Sequence, residues 1–141
     1  MTSIILSIKP KYADLILEGK KTIEIRKTYP RNLTQSTDKI HLYATAPIKK
    51  VIGDVQCHGS VVTNPSKFIV ASLLHGNSEP IRMVEEQAQL TYKEMQKYAG
   101  GLHGNIWVWK LYNPQRFPTP MPLEHWGISR PPQSFCYVKD E

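Results

Sequence analysis

The alternation of apolar and polar positions predicts a chain made mainly of short strands. Residues 4–8 form an unbroken apolar run, which is typical of a buried strand, while residues 20–26 and 39–45 alternate as half-buried strands do. Residues 51–62 predict a longer strand that bends at one of its glycines, and residues 104–112 predict another strand.

Helices are predicted in three places between these strands. Pro10 begins the first helix, because a missing N–H costs nothing in a first turn, and Gly19 follows where a left-handed helix end is needed. A second helix is predicted over residues 64–74. A third lies within residues 85–98, with Thr91 as its N-cap.

The tail from residue 113 is rich in proline and predicts little regular structure. The exceptions are a turn near residues 123–126 and a last strand around residues 135–138. Its aromatic side chains indicate a packed strap over the rest of the fold. The order of elements therefore predicts a single α+β domain over residues 1–141, built on a mostly antiparallel barrel with helices at its ends.

Positive charge is concentrated in the N-terminal third of the chain. Residues 9–50 contain ten of the 18 lysines and arginines but only four of the 12 acidic residues, which accounts for the whole net charge of +6. Such asymmetry predicts an anionic partner. No apolar stretch is long enough to span a bilayer, and the start does not resemble a signal peptide, so we expect a cytoplasmic protein.

Cysteine and histidine spacing predicts neither a metal site nor a cofactor. Cys57 and Cys136 match no zinc or redox motif, and the five histidines show no metal-ligand spacing.

The segment over residues 19–26 contains most of the candidate chemistry. Glu24 and Arg26 point the same way in a strand, where a carboxylate and a guanidinium can pair and hold the edge of a base or an amide. Lys21, in a basic and partly apolar setting, can have a lowered pKa and act as a base or nucleophile, with Glu24 moving the proton. The alternative is an exposed edge strand with alternating charges.

One geometric condition applies to this pair. In an unbroken strand, Lys21 and Glu24 lie on opposite faces. They converge only if the strand begins after Lys21 or bulges there.

The spacing of four residues in this segment resembles the signature of the ASCH domain, a family of the PUA-like superfamily. The pattern Gly-x-Lys-x-x-Glu-x-Arg is present as Gly19, Lys21, Glu24 and Arg26. The strand and helix that precede it, and the end at residues 130–137, are similar to those of small bacterial and phage-borne members.

This resemblance implies a PUA-like barrel of five to six strands, two to three flanking helices and a basic cleft around residues 19–26. Family members are associated with RNA binding, so we expect the cleft to accept RNA, a nucleotide or a modified nucleoside. Phosphate contacts, base-edge contacts and stacking would come from Lys9, Arg26, Tyr43, Gln133, Ser134 and Tyr137.

The same resemblance offers an enzymatic alternative. One branch of the family is similar to amidohydrolases that act on N4-acetylated cytidine with a lysine, a threonine and a glutamate. Lys21 matches the lysine, but Glu24 occupies the place of the threonine. The glutamate of that branch falls near the third helix, where the chain offers Glu85, Glu86 and Glu94, although our placement puts Ala88 at the matching position.

These mismatches favour binding over catalysis. The alternative is an amidohydrolase with Lys21 as base or nucleophile and Glu24 as its partner. A ribonuclease ranks lower because no histidine pair is evident in the sequence. A third hypothesis is an interaction protein whose cleft binds nothing.

Overall fold

The computed structural model describes residues 1–139, which fold into strands and helices in the order expected of an α+β protein. The strands are β1 (Ser3–Ile8), β2 (Ile23–Arg26), β3 (Lys39–Ala44), β4 (Lys50–Gln56), β5 (Ser60–Thr63), β6 (Ile106–Lys110), β7 (Tyr112–Met121) and β8 (Phe135–Val138). The helices are α1 (Pro10–Leu17), α2 (Pro65–His75), α3 (Glu79–Ala88) and α4 (Tyr92–Ala99), with a 3-10 helix at Leu123–Trp126. None of the helices in this part of the chain has the length and apolar character that a bilayer-spanning segment needs.

The strands form two sheets. A five-stranded sheet has the order β7-β4-β3-β1-β8, and a three-stranded sheet has the order β2-β6-β5. Strands β1 and β3 are parallel, and the other pairings are antiparallel. The α+β class is confirmed, but within residues 1–139 no closed barrel forms. The strand predicted over residues 51–62 is in fact two strands, β4 and β5, which enter different sheets.

Two apolar clusters hold the strands and helices together. The larger one lies between the five-stranded sheet and α1 and includes Leu6, Ile16 and Leu42, together with Trp109. The second joins β2 and β6 to α3 and α4 through residues such as Ile25 and Met95. Strand β6 contributes to both clusters, with Trp109 in the first and Ile106 in the second.

A glycine sets the distance between α1 and the five-stranded sheet. A Cβ atom at Gly53 of β4 would lie 2.7 Å from the Leu17 Cδ2 atom of α1 and 2.5 Å from the Gln115 carbonyl oxygen of β7. Both distances are too short for real atoms, so the two neighbours approach this closely only because residue 53 has no side chain.

The helical region differs from its prediction. The Thr91 cap is confirmed: its hydroxyl accepts a hydrogen bond from the Glu94 N–H, and the Glu94 carboxylate accepts one from the Thr91 N–H. The helix predicted within residues 85–98 is α4, and a further helix, α3, precedes it, separated from it by Gln89 in the left-handed conformation. The chain therefore has four α-helices among its described residues rather than two to three.

The tail is also more regular than predicted. Residues 112–121 form β7 despite their prolines. This strand is at the edge of its sheet and pairs only with β4, so a proline can occupy it without breaking a ladder on the free side. The predicted turn near residues 123–126 and the last strand at residues 135–138 are confirmed.

Candidate functional site

A cleft of about 500 Å³ opens where the carboxyl end of β1 meets α1, β2 and α4. Five of the residues predicted for the site line it: Lys9, Lys21, Glu24, Arg26 and Gln133. The other lining residues are Ser7, Ile8, Tyr12, Ile25, Thr45, Leu90, Glu94, Met95 and Tyr98.

The turn after α1 directs Lys21 into this cleft. Gly19 has a φ of +79°, as predicted for a left-handed helix end, and the N–H groups of Lys20 and Lys21 both donate to the Leu15 carbonyl oxygen. Strand β2 begins only at Ile23, so Lys21 is not bound by the alternation of the strand. Its Nζ atom lies 3.3 Å from Glu24 Oε1, and the condition for convergence is met.

Lys21 is held from several sides, and its side chain is only 1% exposed. Besides Glu24, its Nζ atom donates to the Ala88 carbonyl oxygen at 2.5 Å and lies 5.4 Å from the centre of the Tyr12 ring. Burial lowers the pKa of Lys21 and the charge of Arg26 lowers it further, whereas Glu24 opposes the shift. The net effect is a lysine that gives up its proton more readily than one in water.

Glu24 and Arg26 form a fixed pair beside this lysine. Arg26 Nε donates to Glu24 Oε2 at 2.8 Å. The other guanidinium nitrogens donate to the Ser7 carbonyl oxygen at 2.9 Å and to Ser134 Oγ at 3.3 Å. The guanidinium is therefore oriented by three elements, and Ser134 contributes by holding Arg26.

Two of the predicted aromatic residues lie elsewhere. Tyr43 is 4% exposed and packs with Ile5, Val51 and Leu123 in a separate apolar cluster. Tyr137 is on β8, where its hydroxyl accepts a hydrogen bond from the Asn32 N–H. Neither lines the cleft, so the structure does not bring either of these predicted residues to the site.

Two other tyrosines line the cleft, and sequence reasoning missed them. Tyr12 is on α1, with the Lys11 ammonium 5.5 Å from its ring centre. Tyr98 is on α4, is 40% exposed and has the Lys27 ammonium 5.3 Å from its ring centre. No pattern in the sequence linked Tyr12 or Tyr98 to residues 19–26.

The glutamates of the helical region have other partners. Glu94 lines the cleft but is engaged in the Thr91 capping box, and Glu85 Oε2 accepts a hydrogen bond from the Tyr92 N–H at 2.7 Å. Within residues 1–139, no ion pair joins Lys21 to a glutamate of α3 or α4. The contact from that region is the main-chain oxygen of Ala88. Ala88 is the position at which the sequence analysis placed the glutamate of the amidohydrolase branch.

The sequence matches the family model described as the ASCH domain over residues 6–121. A curated relative, the ASCH domain-containing ribonuclease of Zymomonas mobilis subsp. mobilis, is 43% identical over 49 residues. That match covers 35% of this chain and 32% of the relative, so the chain matches about a third of the relative's length.

The fold is similar to solved structures from the same organism. The crystal structure of ASCH from Zymomonas mobilis has a TM-score of 0.73 and 25% identity, covering 97% of this chain and 87% of that one. A variant of that protein with a tyrosine replaced by phenylalanine has a TM-score of 0.76 and 23% identity, covering 99% and 91%.

Proposed function

This chain belongs to the ASCH domain family, and we propose that its cleft binds one nucleotide of a single RNA strand. The observation that carries the proposal is the fixed Glu24–Arg26 pair inside a cleft that two tyrosine rings also line. A cleft of about 500 Å³ is in the size range of small-molecule sites. The name of the Zymomonas mobilis relative, a ribonuclease, supports RNA as the class of ligand.

Charge around the cleft favours a phosphate-bearing ligand. Lys9 lines it and is exposed, and Lys11 and Lys27 are exposed beside the two tyrosines. Arg26 adds a guanidinium whose orientation is already set, so little side-chain entropy is lost when it meets a phosphate. Binding through such contacts weakens as salt displaces the protein from the backbone.

The cleft suits an unpaired base. Ring faces of Tyr12 and Tyr98 can stack on any base, and the Glu24 carboxylate with Gln133 can accept and donate along a base edge. A base within a duplex presents neither its faces nor its pairing edge. We therefore expect a preference for single-stranded RNA over duplex RNA.

Fluorescence anisotropy with a labelled RNA 12-mer, single-stranded or duplex, tests this proposal over a series of salt concentrations. Arg26→Ala is expected to weaken binding by about tenfold or more. The matched control is Lys67→Ala, which removes an exposed charge on α2, outside the lining residues. Equal weakening by both variants, or no dependence on salt, would contradict the proposal.

A second candidate is cleavage of the bound strand, and the lowered pKa of Lys21 favours it. Neutral Lys21 would accept the proton of a 2′-hydroxyl, whose oxygen attacks the adjacent phosphorus and releases the 5′-oxygen of the next nucleotide. The products are a 2′,3′-cyclic phosphate and a 5′-hydroxyl end, the leaving oxygen taking its proton from the protonated lysine or from water. Arg26 would stabilise the charge that develops on the phosphoryl oxygens.

The amidohydrolase alternative uses the same lysine as a base for water. In that case the water oxygen attacks the acetyl carbonyl of N4-acetylcytidine, and acetate and cytidine are released. Chromatography of incubations with RNA and with N4-acetylcytidine distinguishes the two reactions by their products. No product from either substrate at high protein concentration would leave binding as the function of the cleft.

A further inference from the structure

A second cavity, of about 680 Å³, lies apart from the cleft and lacks a role in the function proposed above. Its lining includes two lysines, two histidines and a tryptophan: Lys39, His41, His125, Trp126 and Lys139, with Met1 and Gly127. Within residues 1–139, no carboxylate lines this cavity, whereas Glu24 and Glu94 line the cleft. Its described lining is therefore basic and aromatic.

The cavity lies at the opposite end of the central strands from the cleft. Strands β1 and β3 run parallel, with Ser3 beside Lys39 at one end and Ile8 beside Ala44 at the other. The cleft uses Ile8, and the second cavity uses Lys39. The five steps from Ser3 to Ile8 rise about 17 Å, so the two concavities are separated by roughly that distance along the sheet.

The aromatic group of this cavity is held rigidly. The ring centres of His41 and His125 lie 5.0 and 4.7 Å from that of Trp126. The short helix that positions Trp126 is anchored by buried Leu123 and ends at Gly127, which has a φ of +73°. His41 is itself buried, and its Nδ1 atom faces Asp54 Oδ2 at 3.9 Å. A fixed indole among cationic and imidazole groups is suited to a ligand with both a ring and a phosphate.

We propose that this cavity is a second contact site for the RNA strand that occupies the cleft, binding phosphates with Lys39 and Lys139 and a base against Trp126. The inference rests on the proposed function. A stacked strand advances about 3.4 Å per nucleotide, so about five nucleotides connect the two sites. A dinucleotide can fill the cleft alone, whereas a 12-mer can reach both.

Binding of oligoadenylates two and twelve nucleotides long, titrated by anisotropy, tests the proposal. The double variant Lys39→Ala/Lys139→Ala is expected to weaken 12-mer binding at least tenfold and to reduce the salt slope by about two, because two phosphate contacts are lost. Dinucleotide binding should not change. The matched control is Lys67→Ala/Lys93→Ala, which removes two exposed charges from α2 and α4.

Nuclear magnetic resonance of the Trp126 indole N–H gives an independent measurement. Its signal is expected to shift with the 12-mer and not with the dinucleotide.

A 12-mer that binds the double variant as tightly as the parent would overturn the second site and leave the cleft intact. If Arg26→Ala leaves the affinity for both lengths unchanged while the double variant weakens the 12-mer, the second site stands and the proposed role of the cleft fails. No binding of either length to the parent overturns both.

Discussion

The ammonium of Lys21 lies 3.3 Å from a carboxylate oxygen of Glu24, and both side chains are buried. The other oxygen of that carboxylate is bound by Arg26. Glu24 thus stands between two cations, and Lys21 is the one that burial makes easier to deprotonate. The two cations therefore suit different roles. Arg26 is a charged group for a phosphate, and Lys21 is a group for proton transfer.

Lys21→Met is expected to abolish turnover while the fold is retained. The unbranched apolar side chain fills a similar volume, and Glu24 keeps Arg26 as a partner, so we expect a loss in the free energy of unfolding no larger than the about 3–5 kcal/mol that breaking a buried ion pair costs. If Lys21 is the base, the cleavage rate falls at least about 100-fold. The control is Lys20→Met, since the neighbouring lysine is exposed and, among the described residues, forms its ion pair with Glu18 at the surface. Similar rates for both variants would exclude Lys21 as the base.

Glu24→Gln is expected to destabilise the protein strongly. The amide leaves Lys21 and Arg26 without their shared carboxylate, and loss of one member of a buried ion pair costs about 3–5 kcal/mol. Urea denaturation gives the free energy of unfolding. Glu18→Gln, which removes an exposed carboxylate, should cost less than about 1 kcal/mol. Equal losses for the two variants would contradict the buried network.

The pKa of Lys21 links stability to pH in a direction that can be measured. Between the lowered pKa of the folded state and the ordinary 10.5, the unfolded chain binds a proton that the folded chain does not, so stability rises with pH across this window. Below the folded pKa the contribution is constant. The difference in unfolding free energy between the parent and Lys21→Met reports this contribution, because the variant lacks the titrating amine. A difference that falls as pH rises would contradict the lowered pKa.

The pH dependence of function distinguishes a Lys21 that acts as a general base from a Lys21 that binds phosphate as an ammonium. A general base works when neutral, so cleavage should rise as pH rises through the pKa of Lys21. A phosphate-binding ammonium works when charged, so affinity for RNA should fall over the same range. Parallel measurements of rate and affinity on one sample show which of the two applies.

Tyr98→Ala is expected to weaken RNA binding without unfolding the protein, because this ring is half-exposed on α4. Loss of one stacking face costs about 1–3 kcal/mol of binding free energy. Tyr98→Phe keeps the ring and should bind nearly as the parent does. If the two variants lose the same affinity, the hydroxyl matters and stacking does not.

Gly53→Ala is expected to destabilise the protein by about 1–3 kcal/mol, since an added methyl group meets Leu17 and the backbone of β7. Gly59→Ala is the matched control, with nothing within 4 Å of its added carbon, and should change stability by less than about 0.5 kcal/mol. Thermal unfolding of the two variants side by side provides the measurement.

Local patterns predicted the parts of the fold that depend on neighbouring residues. Pro10 and Gly19 bound α1, and Thr91 caps α4, because helix ends are specified by residues within one turn. Strand β7 escaped prediction because proline penalises a strand only where both sides are paired, and edge position is a property of the whole sheet. The division of residues 51–62 between two sheets has the same origin.

In the candidate site, too, the contacts between residues close in sequence could be predicted, and those between distant residues could not. Lys21, Glu24 and Arg26 are close in sequence, so the sequence predicted the Glu24–Arg26 pair directly, and the meeting of Glu24 with Lys21 on the condition that the strand begins after Lys21 or bulges there. Tyr12 and Tyr98 come to the cleft from two helices that are far apart in the chain, and their arrival depends on how α1 and α4 pack. The meeting of His41 with His125 beside Trp126 is equally a product of tertiary structure.

The acceptor that Lys21 meets across the cleft is the carbonyl oxygen of Ala88, at the last turn of α3. Such an oxygen is present whatever side chain occupies the position, so no ordinary substitution there deletes the contact. Only movement of the end of α3 can break this hydrogen bond. That movement would remove the carbonyl oxygen, which favours the protonated form of the Lys21 amine. A ligand that displaces α3 on entering would therefore lower the pKa of Lys21 further and leave more of it as the neutral amine. Occupancy of the cleft would then be coupled to the reactivity of the lysine through a main-chain group.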